Sequence, residues 1–74
     1  MALTYREMCK ELERGHRARQ PDWGKDRWLE WLVPPHGNPH PVEIREPKGD
    51  AHQRTMILVI PDSYYRCISW EIID

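Results

Sequence analysis

The first fifteen residues carry the hydrophobic pattern of a short amphipathic helix. Thr4 and Glu7 form a capping box, in which each side chain accepts a hydrogen bond from the other residue's backbone N–H. Gly15 suits the left-handed residue that often ends a helix. A helix of about three turns between these limits is stable only when its apolar face packs on another element. Spacings of three and four residues place the apolar side chains on one such face: Tyr5, Met8, Cys9 and Leu12.

After this helix the pattern changes to short alternating runs separated by Pro, Gly, Asn and Asp, which is typical of strands and turns. Residues 16–20 form a weak candidate strand. Residues 27–33 form a stronger one with apolar side chains on both faces, so we expect both faces to be covered. Prolines predict a loop at 34–41 and an edge strand at 42–46. The most β-prone stretch, 54–60, predicts the central strand, and the alternation at 67–73 predicts a half-buried one.

Together these elements predict a single α+β domain over residues 1–74, with one N-terminal helix packed on a mostly antiparallel sheet of four or five short strands. A chain of this length buries only about 60% of its unfolded surface on folding. It should therefore gain buried area from a disulfide, a metal or an oligomer. Cys9 and Cys67 lie outside any C-x-x-C motif, and with no secretory signal we expect both thiols to stay reduced in a cytoplasm. We therefore expect self-association.

The chain contains four tryptophans, and each needs an explanation in terms of packing or ligand binding. For Trp31 and Trp70 we favour the core, because indole rings bury a large apolar area. Trp23 lies in a turn, where backbone tends to be at the surface. For Trp23 a role in packing and a role as a stacking platform for a flat ligand are equally consistent with the sequence.

Basic residues concentrate between positions 14 and 27, where they outnumber acidic ones. Arginine and lysine bind phosphate, and aromatic rings stack on bases. An ordinary solvated surface is the alternative that charge alone favours. The formal net charge of −1 argues against binding to duplex nucleic acid. The residues that combine cationic and aromatic chemistry here are Arg17, Arg19, Trp23, Lys25, Arg27 and Trp28.

Local motifs for catalysis or metal binding are absent from the sequence. His36 and His40 lie in a Pro-Gly loop rather than on a helix, and His16 and His52 have no partner at the spacing of metal ligands. No Ser-His-Asp, Cys-His or paired-carboxylate signature occurs, although catalytic groups can also assemble from distant positions. We therefore expect no enzyme, no metal and no cofactor, and no apolar run reaches the roughly 20 residues of a membrane span.

The order of residues in two parts of the chain resembles the second Thoeris anti-defence family of small phage proteins. The resemblance covers about residues 4–33 and 62–74. The sequence departs from the family pattern at Pro21-Asp22, where a small residue and Gly are usual, and in the proline-rich loop 34–41. The residues that carry the resemblance are the run Tyr5 to Gly15, Arg17-Ala18-Arg19, Trp23-Gly24-Lys25, Arg27-Trp28-Leu29, Asp62 and the closing run Trp70-Glu71-Ile72-Ile73-Asp74.

This resemblance implies a non-enzymatic sponge in the cytoplasm of a bacterial host cell. Such a protein sequesters a cyclic nucleotide immune signal, either a cyclic ADP-ribose isomer or a cyclic oligonucleotide. It also implies a homo-oligomer, a dimer or tetramer, with pockets between subunits. Carried over by position, Trp23 would stack on a base and Arg19 and Lys25 would lie near phosphates. The residues that would shape or support the pocket are Trp28, Asp62 and Trp70.

A related branch of the family acts as anti-CRISPR proteins. The alternative function is accordingly a protein-interaction module, whose aromatic and basic face docks on a host defence protein.

Overall fold

One α-helix packs on a five-stranded antiparallel sheet in the computed structural model, which describes residues 2–73. The predicted α+β class is confirmed. Met1 and Asp74, the last residue of the closing run, lie outside the described residues. The strand order is β4-β3-β2-β1-β5, and short 3₁₀ helices occupy the connections. The elements are α1 (Tyr5–Glu13), β1 (Ala18–Arg19), β2 (Arg27–Leu32), β3 (His40–Arg45), β4 (Thr55–Ile57), β5 (Glu71–Ile72) and the 3₁₀ helices Pro47–Gly49, Ala51–Gln53 and Asp62–Arg66.

Helix α1 begins and ends where the sequence predicts. The Glu7 N–H donates to Oγ1 of Thr4 at 3.2 Å, and the Thr4 N–H donates to Oε1 of Glu7 at 3.0 Å. These hydrogen bonds favour the charged carboxylate and lower the pKa of Glu7. Gly15 has a φ of 94°, and its N–H donates to the carbonyl of Leu12 at 2.9 Å. Met8 and Leu12 are fully buried, so the predicted apolar face does pack on the sheet.

The register of β2 leaves part of this strand with a neighbour on one side only. All six residues of β2 pair with β3, from Arg27 opposite Arg45 to Leu32 opposite His40. On the other side β1 is only two residues long and pairs with β2 at Ala18 opposite Leu29. The backbone of β2 beyond Leu29 therefore has no strand partner on the β1 side.

The prediction of an edge strand at residues 42–46 is wrong. Strand β3 lies between β2 and β4, and it begins at His40, inside the predicted loop. Pro41 is compatible with this position because β4 pairs only with Glu43, Ile44 and Arg45. The first half of β3 thus has a strand on one side only, which is where proline is tolerated in a sheet.

The prediction of a central strand at residues 54–60 is also wrong. Strand β4 has three residues and lies at the edge of the sheet. Met56, Leu58 and Val59 are 49%, 57% and 80% exposed. Strand propensity describes the fit of a side chain to a pleated surface and carries no information about the place of the strand in the sheet. The apolar side chains of this segment therefore lie at the surface of the protein.

The strand predicted at residues 67–73 is shorter than expected, because only Glu71–Ile72 forms β5. Trp70 just before it makes a single antiparallel bridge with Leu3. No helix in the described part of the chain is long and apolar enough to cross a bilayer.

Two apolar clusters lie on opposite faces of the sheet. The helix covers the first, and the second is also buried, with Trp28 only 5% exposed, so β2 is covered on both faces at Trp28 and Leu29 as expected. The first cluster, between α1 and the sheet, consists of Met8, Leu12, Ala18, Leu29 and Trp70. The second consists of Trp28, Val42 and Ile44, with Leu32 packed against it.

Candidate functional site

The turn between β1 and β2 places Trp23 in an aromatic cluster. Its ring centroid lies 5.6 Å from that of Tyr64 and 5.6 Å from that of Trp70. The guanidinium of Arg27 lies over the same ring, 4.0 Å from the centroid. Edge contacts between rings and the cation–π contact hold the indole in place. The structure thus brings together three of the residues predicted to bind ligand, and Trp70, which is fully buried as expected, can only support the others.

A buried carboxylate fixes Arg27 beside this cluster. Glu43 is 1% exposed. Its Oε2 accepts from Nε of Arg27 at 3.0 Å and from Nε of Arg45 at 2.6 Å, and its Oε1 accepts from the Tyr64 hydroxyl at 2.5 Å. The hydroxyl oxygen of Tyr64 accepts in turn from Nη2 of Arg27 at 2.7 Å. Both oxygens of the buried Glu43 carboxylate therefore have hydrogen-bond partners.

These contacts change the pKa values of both acids. Burial opposes the charged form of Glu43, but hydrogen bonds from Tyr64, Arg45 and Arg27 outweigh it and lower the pKa of this carboxyl. Burial, reinforced by the hydrogen bond to Glu43, raises the pKa of Tyr64. Around neutral pH the pair therefore consists of a carboxylate and a neutral phenol.

Sequence reasoning missed both Glu43 and Tyr64. Glu43 lies on the helix side of the sheet because it pairs with Leu29, and this register cannot be read from local pattern. The one signal in the sequence was the position of Glu43, a single acidic residue between the apolar Val42 and Ile44. Tyr64 lies in a 3₁₀ helix, in a segment that reads as a turn.

Trp28 lies on the opposite face of the sheet from this network. Arg17 and Arg54 place their guanidinium carbons 5.0 Å and 5.8 Å from the centroid of its ring. Its Nε1 donates to Oε1 of Glu30 at 2.9 Å, and the same oxygen lies 3.2 Å from Nε of Arg17. The arginine stems help to cover the ring, which is 5% exposed. Trp28 and Trp23 therefore do not share one site.

The remaining predicted residues lie apart from one another. Arg19 pairs with Glu71, with 3.4 Å between Nε and Oε1. Lys25 is exposed in the turn before β2, and Asp62 is exposed at the start of the 3₁₀ helix Asp62–Arg66.

A cavity of about 380 Å³ opens between the end of α1 and the part of β2 that lacks a neighbour. Its volume falls within the roughly 300–1,000 Å³ typical of small-molecule sites. Arg17 is the predicted ligand-binding residue that lines it. The lining residues are Leu12, Glu13, Gly15, His16, Arg17, Glu30 and Trp31.

A second cavity, of about 470 Å³, lies beside α1 and includes Tyr5 and Cys9. Burial raises the pKa of both groups. Cys9 is therefore a thiol at neutral pH and a poor nucleophile. Between Ala2 and Ile73 no three His, Cys, Asp or Glu side chains come together as metal ligands.

Comparison with known proteins finds no match to this chain among protein-family models, curated proteins or solved structures. The geometry of the described residues is therefore the basis for a functional proposal.

Proposed function

We propose that this protein is a non-enzymatic binding protein that sequesters a cyclic nucleotide signal, either a cyclic ADP-ribose isomer or a cyclic oligonucleotide. The observation that carries the proposal is the cavity of about 380 Å³, which combines an indole, a guanidinium and carboxylates. Indole rings stack on bases, and guanidinium groups bind phosphate. The resemblance to the second Thoeris anti-defence family favours the same class of ligand.

Sequestration requires tight binding without turnover, so the binding groups should be rigid before the ligand arrives. Arg17 is held by Glu30 and by the ring of Trp28. A side chain that is already ordered loses less entropy on binding. Stacking interactions and charge-assisted hydrogen bonds contribute about 1–3 kcal/mol each, and together they give the tight binding that sequestration requires.

Thermal unfolding in the presence of cyclic ADP-ribose isomers and cyclic dinucleotides tests this proposal. A ligand present at about 100 times its Kd stabilises the folded state by about 2.7 kcal/mol, which for a domain of this size raises Tm on the order of 10 °C. Mass spectrometry after denaturation should then recover the ligand unchanged. A hydrolysed product, or no shift in Tm across the whole panel, would contradict the proposal.

The second candidate function is a protein-interaction module that inhibits a host defence protein. The exposed apolar residues at the edge of the sheet favour it, namely Met56, Leu58 and Val59. This function predicts no Tm shift with any nucleotide and stoichiometric co-purification of one host protein. Variants at these three positions, rather than at the cavity, would then abolish the interaction.

A further inference from the structure

Trp31, which the sequence assigns to the core, packs against the helix-side apolar cluster, but it is only half-buried and also lines the cavity. Strand β1 begins at Ala18, opposite Leu29, so no residue of β1 pairs with β2 at Glu30 and Trp31, and the cavity lies there. Helix α1 ends at Glu13, and the left-handed Gly15 turns the chain away. The indole of Trp31 therefore lies where a small molecule can reach it.

Trp31 also differs from the other three tryptophans in its ring contacts. Trp23 and Trp70 contact each other and neighbouring tyrosines, and Trp28 lies under two arginines. Among residues 2–73 the ring of Trp31 has no aromatic or cationic partner within stacking distance. A flat ligand can stack on it without displacing any such contact.

The charges around Trp31 indicate which part of a nucleotide enters. Glu13 and Glu30 both line the cavity, and the C-terminal end of α1 adds a partial negative charge. In the described part of the chain the Glu13 carboxylate has no hydrogen-bond or ion-pair partner. The Glu30 carboxylate pairs with Arg17, which also lines the cavity, so the negative charge that Arg17 does not offset lies on the Glu13 side, where it accepts hydrogen bonds from N–H donors. The base should therefore lie between Trp31 and Glu13, and the phosphates should lie on the Arg17 side of the cavity.

We propose that Trp31 is the stacking platform for a nucleobase bearing an exocyclic amino group, and that Glu13 accepts a hydrogen bond from that amino group. This inference rests on the proposed function and specifies the base and its position. It differs from the expectation that the resemblance gives, in which Trp23 stacks on the base. Adenine, guanine and cytosine carry such an amino group, whereas hypoxanthine and uracil do not.

The first test uses the indole N–H signals of the ¹⁵N-labelled full chain, assigned with single Trp→Phe variants. The probes are cyclic di-AMP and a cyclic ADP-ribose closed through the ribose 3′ oxygen, in which the adenine amino group is free. We expect the Trp31 signal to shift on addition of at least one probe, with a smaller change at Trp23. A shift confined to Trp23 would overturn the inference in favour of that residue.

The second test measures affinity by calorimetry with the probe that binds. Trp31→Leu should weaken binding at least about tenfold, and Trp31→Phe, which keeps a ring, should stay within about threefold of the wild type. Glu13→Ala should weaken binding of the adenine-containing probe about tenfold. The same variant should leave binding of the inosine analogue of cyclic di-AMP unchanged. Asp22→Ala, at another exposed carboxylate, is the matched control and should change neither.

The two proposals fail in different ways. Unchanged affinity in Trp31→Leu, with a folded variant, would remove Trp31 from the site and leave the sponge intact. If Trp31→Leu does not fold, unchanged affinity in Glu13→Ala together with an unmoved Trp31 signal has the same meaning. If neither probe binds, the result counts against both proposals.

Discussion

At the residue scale, Glu43 connects three parts of the molecule through one carboxylate. It accepts hydrogen bonds from Arg27 on β2, from Arg45 on its own strand, and from Tyr64 in the 3₁₀ helix Asp62–Arg66. Burying a charge is costly unless partners satisfy it, and removal of one partner leaves the others uncompensated. Since Arg27 also lies over Trp23, this carboxylate indirectly orders the aromatic cluster.

We expect Glu43→Gln to lower the free energy of unfolding by about 2–3 kcal/mol around neutral pH, because it removes charge-assisted hydrogen bonds. The folded state lowers the pKa of Glu43, so its contribution is complete above the ordinary value of 4.5 and is lost as the pH falls below it. The difference in the free energy of unfolding between wild type and variant should therefore become smaller at acidic pH. Urea unfolding at a series of pH values measures this difference.

Glu71→Gln is the control for this prediction, because the Glu71 side chain is 40% exposed and lies 3.4 Å from Nε of Arg19. Exposed pairs contribute at most about 1 kcal/mol. Equal losses in the two variants, or a Glu43→Gln difference that is constant down to strong acid, would show that the network does not stabilise the fold as proposed.

At the element scale, helix α1 is defined by its two ends. Its N-terminus has a complete capping box, and its C-terminus needs a residue with positive φ at Gly15. This turn also forms one wall of the cavity, because the chain leaves the helix there and enters β1. The same local geometry therefore ends the helix and opens the site.

Gly15→Ala should destabilise the protein by about 1 kcal/mol, because a Cβ makes this left-handed conformation unfavourable. No atom lies within 4 Å of the added Cβ, so the cost comes from backbone strain and not from a clash. Thermal or urea unfolding gives the value. Gly15→Asn, which tolerates this conformation better, should lose less, and an alanine variant as stable as the wild type would contradict the argument.

At the scale of the whole molecule, the domain leaves much apolar surface uncovered. The edge strand β4 and the residues after it expose Met56, Leu58 and Val59, although this stretch has the highest strand propensity in the chain. An exposed apolar strand edge favours pairing with another chain. Self-association through this edge would give the small domain the additional buried area that its size calls for.

Self-association through this edge predicts that Val59→Lys and Leu58→Lys each reduce the oligomer mass, because a charge in an apolar interface is costly to bury. Analytical ultracentrifugation measures the mass, and circular dichroism confirms that the variants fold. Ile68→Lys is the control, since Ile68 is 71% exposed but lies before β5, at the other edge of the sheet. A monomeric wild type, or a loss of mass only in the Ile68 variant, would rule out this interface.

The sequence by itself determined the features that depend on residues close together in the chain. Thr4, Glu7 and Gly15 fix the ends of α1 through contacts spanning a few residues, and the apolar face of the helix follows from its period. The α+β class follows from one helical pattern and several alternating runs. These predictions were right because the interactions that cause them are local.

Only the tertiary structure decided the order of the strands and the surroundings of the four tryptophans. Strand order and register depend on the summed free energy of pairs far apart in sequence, so the most β-prone stretch ends up at the edge and Glu43 comes to lie beside Arg27. Trp23, in a turn, was equally open to packing and to ligand stacking but is packed among rings, whereas Trp31, in a strand and assigned to the core, also lines a cavity. Trp31 lines the cavity because β1 begins only at Ala18, opposite Leu29, and no residue of β1 pairs with β2 beyond that point, which no local pattern encodes.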